Sequence, residues 1–82
     1  MAEDTTFDLL IATLDRVIYE GKARSLILPG EQGTFEVLPL HRPLMSRLLI
    51  GLIVIDGRSF PIRRGVLRIA DDVVTAVVEP RG

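Results

Sequence analysis

The residues Leu48 to Glu79, LLIGLIVIDGRSFPIRRGVLRIADDVVTAVVE, decide the fold class. Runs rich in Ile and Val are set off by Asp-Gly and Asp-Asp, and branched side chains in that pattern favour pleated strands over helices. Asp56-Gly57 is a two-residue hairpin signal, because both turn positions of that hairpin require positive φ. It joins a strand at Leu48 to Ile55 to one at Ser59 to Arg63. Gly65 marks a bulge or a close backbone approach. A last hairpin turns at Asp71-Asp72, between Val66 to Ala70 and Val73 to Glu79. The two adjacent carboxylates read as a solvated turn and not as a catalytic pair.

Working outward, Phe7 to Ala12 forms a first strand with Phe7, Leu9 and Ile11 on one face. Thr13 to Arg16 turns the chain. Val17 to Glu20 is a second strand, Gly21 permits a break, and Lys22 to Leu28 is a third, ended by Pro29 and Gly30. Phe35 to Leu38 is a fourth, closed by Pro39, which cannot donate to a ladder. Turn signals recurring about every ten residues describe an all-β sandwich or barrel. Residues 1–6 are expected as a flexible tail, 7–79 as a single β-sandwich domain and 80–82 as its carboxy-terminal end.

A chain of 82 residues without cysteine, and with a single histidine, has neither a disulfide nor a zinc cluster to supplement its core. Its 48% hydrophobic content must supply the packing. Ten basic and eleven acidic residues leave a charge of -1, without the basic excess that nucleic-acid binding requires. The start MAEDTT lacks the features of a secretory signal, and the run Leu48 to Ile55 is far short of the ~20 residues that span a bilayer. There is no GxSxG, no phosphate loop and no spaced metal-ligand set, so neither catalysis nor a cofactor is expected.

The stretch LPGEQGTFEVLPLHRPL, Leu28 to Leu44, is the second informative region. Pro39 and Pro43 fix their own φ and push Leu38 and Arg42 out of the helical region. A histidine held on so stiff a segment loses little entropy on meeting a partner. His41 therefore reads either as a contact residue or as the cap of a turn. Leu48 to Ile55 poses a different question. Leu49, Gly51, Ile53 and Ile55 alternate with Leu48, Ile50, Leu52 and Val54, so both faces are apolar. A two-layer sandwich covers one of them, and the other is expected either to meet a partner or to lie under loops. Arg63, Arg64 and Arg68 make a small basic patch, read as a solvated, charge-guarded edge before it is read as an anion site.

The opening strand FDLLIA, then DRVIYEG, then LPGEQGTFEVLPLHRPL resemble in order the amino-terminal β-sandwich domain of the epsilon subunit of F-type ATP synthases, the bacterial counterpart of the mitochondrial delta subunit. The family pattern runs through a Pro-Gly turn, a Glu-Gly pair, Phe-Gly-Val-Leu-Pro-Gly-His and Ala-Pro-Leu. The closing VVTAVVE is similar to the family's last strand, and the likeness covers Phe7 to Glu79. It implies a flattened antiparallel β-sandwich of about ten short strands, packed on the gamma subunit and resting on the polar loops of the c-ring. Such a rotor subunit couples ring rotation to gamma without chemistry of its own, peripheral to the cytoplasmic side of the inner membrane.

On this resemblance the ring-facing contacts are Glu31, Thr34, His41 and Arg42, and the loop is shaped by Pro29, Gly30, Gly33, Pro39 and Pro43. A partner-facing apolar strand comprises Leu48, Ile50, Leu52 and Val54. Glu36 and Leu40 stand where the family has glycine, which argues against positive φ at either. Leu49 and Ile50 replace a Lys-Pro pair. Most members continue into a helical pair that carries inhibition, so a chain ending at Gly82 is expected as a short form without that arm. The alternative from another class is a free-standing β-sandwich adaptor, or a module that forms homodimers in isolation through the apolar strand.

Overall fold

The computed structural model describes residues 5–81, and the first four residues of the expected tail, with residue 82, lie outside them. The described residues are all strand and turn, with no helix: β1 Phe7–Ala12, β2 Val17–Ala23, β3 Leu26–Gly30, β4 Gly33–Val37, β5 Leu44–Leu48, β6 Gly51–Ile55, β7 Arg58–Ala70 and β8 Val73–Pro80. Eight strands thus stand among these residues where about ten were expected. They form one sheet in the order β2-β1-β8-β7-β5-β3-β4, with β6 paired to β3 and β7. Every pairing is antiparallel except one: β1 and β8 run parallel, from Asp8 opposite Val73 to Ala12 opposite Val77.

The core shows why the sheet closes on itself. Phe7, Leu9 and Ile11 of β1, Ala23 of β2, Leu26 and Leu28 of β3, and Val37 of β4 belong to one buried cluster with residues of β5 to β8. A single cluster fed by all eight strands requires the sheet to fold into two facing layers, and the extents of 39 × 26 × 21 Å fit a flattened sandwich. No polar or charged residue is buried among the described residues, so the interior rests on apolar packing.

Several boundaries differ from the sequence reading, and the largest differences have physical reasons. β2 runs through Gly21 to Ala23, and the break falls at Arg24–Ser25. There the Asp56 carboxylate accepts the backbone N–H groups of Arg24 at 3.0 Å and Ser25 at 2.9 Å, a partner more than thirty positions away. β3 continues through Pro29 to Gly30. Its ladder to β6 ends at Ile27 opposite Val54 and resumes to β5 only at Gly30 opposite Leu48. Pro29 sits in that interruption, where its carbonyl accepts the N–H of Leu49 at 2.8 Å and a donor from Pro29 is not needed.

The expected strand Leu48 to Ile55 is two strands, β5 and β6, separated at Leu49–Ile50. Both pair with β7 in one register, Leu48 opposite Gly65 and Gly51 opposite Ile62, so they are collinear halves of one long hairpin. The interruption shifts the side-chain phase. Leu48, Ile53 and Ile55 are buried together, while Ile50 and Leu52 are more than half exposed and Val54 is half-buried. Leu48 is therefore a core residue and not part of a partner-facing strand.

β7 joins the two segments expected at Ser59 to Arg63 and Val66 to Ala70 into one strand. The register against β8 slips by one residue between Ile62 and Arg64, which leaves Arg63 as the extra residue of a bulge. A Cβ on Gly65 would lie 2.7 Å from the Val77 carbonyl oxygen, so the close backbone approach expected there is present as well. Because β7 is paired on both sides, its arginines do not guard an open edge; the edges of the sheet are β2 and β4.

Candidate functional site

The expected contact residues fall in two groups, one at each end of edge strand β4. At its start the Glu31–Gln32 turn closes the β3–β4 hairpin, with Gly30 opposite Gly33. Gly33 has φ 113, which suits glycine alone, and a Cβ on Gly30 would fall 2.7 Å from the Phe35 ring. These two glycines let the hairpin tip tighten and the ring lie over its backbone. Glu31 and Thr34 are exposed, and the Glu31 carboxylate reaches Arg47 of β5 at 3.9 Å. That pair is too solvated to hold much by itself.

Beyond Val37 the chain leaves β4 as the loop 38–43, which carries His41 and Arg42. Four residue steps separate Thr34 from Leu38, where this loop starts, roughly 13 Å of chain. Glu31 with Thr34 and His41 with Arg42 are thus two clusters spaced along one rim, not a single pocket. The His41 ring is half-buried, and its Nδ1 lies 2.7 Å from the Arg42 carbonyl oxygen. A carbonyl only accepts, so Nδ1 carries the hydrogen and Nε2 is the nitrogen left for other contacts. Arg42 and Pro43 are exposed.

Leu40 departs from the sequence expectation. It has φ 67, in the left-handed region, which costs a residue with a Cβ roughly 1–2 kcal/mol. Its N–H donates to Asp72 Oδ1 at 2.8 Å, and its side chain is 82% exposed. A leucine therefore has the positive φ expected only of glycine at this position, and a carboxylate from the β7–β8 turn accepts its amide. Glu36 does not take positive φ, as expected, and its carboxylate accepts from the Ser25 hydroxyl at 2.8 Å.

Sequence reasoning missed the other wall of the rim. A groove of about 720 Å³ lies between the β3–β4 hairpin and β5, lined by Glu31, Thr34 and Phe35 on one side and by Met45, Arg47 and Val66 on the other. The signal that could have found β5 was available. Continuing the register of the Asp56-Gly57 hairpin backward pairs Leu44 with Ile69, as the structure does. A second exposed apolar area surrounds the β5–β6 interruption, where Leu49, Ile50 and Val66 lie beside Arg47, Arg63 and Arg64. The last two share the Glu79 carboxylate, at 3.5 Å for Arg63 and 2.8 Å for Arg64, which offsets much of the basic patch.

No helix among the described residues is long and apolar enough to cross a membrane, and no group of three or more His, Cys, Asp or Glu among them could hold a metal ion. Residues 6–80 match the family described as the ATP synthase Delta/Epsilon chain β-sandwich domain. An ATP synthase epsilon chain of a Nitratiruptor species is 39% identical over 79 residues, covering 90% of this chain and 61% of that relative. The fold is shared with a chain of the Euglena gracilis mitochondrial ATP synthase at TM-score 0.82 and 18% identity, covering 90% of this chain and 51% of the other. It is shared also with a chain from the central stalk and c-ring structure of the Tetrahymena thermophila mitochondrial ATP synthase, at TM-score 0.78 and 12% identity, covering 88% and 62%. The chain thus spans about half to three fifths of the length of the proteins it matches. With the family model matched over residues 6–80 and a curated relative 39% identical, the chain belongs to the family of the ATP synthase Delta/Epsilon chain β-sandwich domain.

Proposed function

We propose that this chain is a central-stalk subunit of a rotary ATP synthase, and that it couples rotation of the c-ring to the gamma subunit during synthesis or hydrolysis of ATP. The observation that carries the proposal is the family match over residues 6–80, which takes in the whole sandwich. A domain whose core is entirely apolar and whose strands form one continuous sheet is stiff enough to pass torque. The ring-facing rim comprises Glu31 and Thr34 at one end of β4 and His41 with Arg42 at the other. There the proline-bounded loop presents polar groups with little ordering left to pay for on contact. Gamma takes the apolar surface of Ile50, Leu52 and Val54. In this role the chain is peripheral to the cytoplasmic face of the membrane and takes no part in the chemistry of ATP.

The test is to tag the chain, solubilise membranes gently and identify what copurifies. Gamma and ring subunits are the expected companions, and their absence sinks the proposal. A second reading rests on the exposure of Ile50 and Leu52, 59% and 53%, which suits self-association as well as it suits gamma. Sedimentation across a concentration series separates the two: a stable homodimer masking this strand favours an adaptor module, and a monomer that binds gamma favours the rotor.

A further inference from the structure

We infer that Asp72 is a positioning residue for the loop 38–43, so that the β7–β8 hairpin tip, and not the loop's own sequence, sets how Leu40 and His41 are presented. The inference rests on the reading of this loop as a contact surface. Its prolines restrict φ at positions 39 and 43, but the turn between them needs a residue in the left-handed region, and the sequence supplies leucine. A leucine left to itself would leave that region. What holds it is a long-range bond: Asp72 Oδ1 accepts the Leu40 N–H at 2.8 Å, from a residue thirty-two positions away. Asp72 is itself fixed, since its own φ is 61 and its backbone carbonyl accepts the N–H of Asp8 at 3.1 Å. The carboxylate thus ties the loop to β1 and β8 together.

Two consequences follow from the geometry. The Leu40 side chain, 82% exposed, stands out from the loop as an apolar knob next to the half-buried His41 ring. The loop also moves with the hairpin tip as one piece and does not flex as an independent connector.

The test uses the 82-residue chain with two substitutions at one site. Asp72→Gly keeps a residue that takes positive φ freely and deletes the acceptor, whereas Asp72→Asn keeps both the turn conformation and an amide oxygen at the acceptor position. In the unaltered chain the Leu40 amide is expected to show the strong intraresidue NOE to Hα that positive φ gives. In Asp72→Gly that NOE is expected to weaken, and hydrogen exchange at the Leu40 amide to rise about tenfold or more. Asp72→Asn restores the NOE and leaves exchange only a few-fold faster, because a neutral acceptor bonds less strongly than a carboxylate. Unchanged Leu40 exchange and NOE in Asp72→Gly overturn the inference. If Asp72→Gly fails to fold, the few-fold change in Asp72→Asn carries the test, and its absence overturns the inference equally. Copurification of ring subunits with the tagged variants keeps the two readings apart. A loop that moves in Asp72→Gly while ring binding is unchanged supports the positioning role and removes the loop from the ring contact. A loop that keeps its geometry removes the positioning role whatever copurifies.

Discussion

β7 begins at the Asp56-Gly57 tip, with φ 46 and 87, and ends at the Asp71-Asp72 tip, with φ 54 and 61. Each tip is a two-residue turn in the left-handed region, and each lends an aspartate carboxylate to backbone more than thirty positions away in sequence. They differ in what they hold. Asp56 receives two amides, of Arg24 and Ser25, at the break between β2 and β3, and the Asp56 N–H donates in return to the Ser25 carbonyl at 3.0 Å. Asp72 receives one amide, that of Leu40, from a residue in an unfavourable conformation. One tip closes a satisfied crossing between strands, and the other holds a strained loop at the surface. A turn aspartate can therefore stabilise the fold or keep a surface segment in a shape it would not choose, with the same chemistry.

β7 is the bar that joins the two tips, so the largest effect should come from its middle. Gly65→Val places a side chain against the Val77 carbonyl, 2.7 Å from the Cβ position, and is expected to lower stability by about 3 kcal/mol, seen as an earlier urea midpoint. Both tips should loosen together in hydrogen exchange. Protection lost at one tip alone would show that β7 does not link them.

Asp56→Ala comes next. It leaves two N–H groups without their acceptor and puts alanine at positive φ, for a loss of about 2 kcal/mol by equilibrium unfolding. Asp56→Asn should recover at least half of that. Leu40→Gly changes stability in the opposite direction. Relief of the left-handed leucine exceeds the added entropy of the unfolded chain, and the exposed side chain gives up little packing, so a gain of about 0.5–1 kcal/mol is expected. A loss in thermal melting would mean that Leu40 is not strained. The smallest effect belongs to Glu79→Gln, which removes the shared partner of Arg63 and Arg64. Those side chains are about half exposed or more, so stability should change by less than about 0.5 kcal/mol in chemical denaturation.

Local signals made much of the fold legible. The bounds of β1 match its alternation of Phe7, Leu9 and Ile11, and both hairpin tips fall where Asp-Gly and Asp-Asp place them. What escaped the reading was set by distant groups. Gly21 looks like a break, yet the break lies where the Asp56 carboxylate meets Arg24 and Ser25. Leu48 to Ile55 reads as a single apolar run, yet the bond from Leu49 to the Pro29 carbonyl divides it and turns Leu48 inward. At the candidate rim the exposure of Glu31, Thr34 and Arg42 follows from their residue types, and Gly30 and Gly33 shape the tip. The rim's other wall, Met45 and Arg47 on β5, was not legible, because Pro43 and the polar Ser46 and Arg47 obscure a strand that only the hairpin register reveals. The positive φ at Leu40 runs against its residue type, and the acceptor that meets its amide sits thirty-two positions away at Asp72.

The parallel pairing of β1 with β8 has a consequence for how the chain is made. Two parallel neighbours must be joined by a crossover, and here everything from β2 to β7 serves as that crossover. A chain emerging from the ribosome can form the β1–β2 hairpin early, but the free edge of β1 stays unpaired until Val73 to Val77 have been synthesised. The eighth of these strands completes the pairing of the first. Such long-range closure predicts refolding in milliseconds to seconds and not in microseconds. It also makes the interval before β8 arrives the time when the nascent sheet is most open to pairing with the wrong strand.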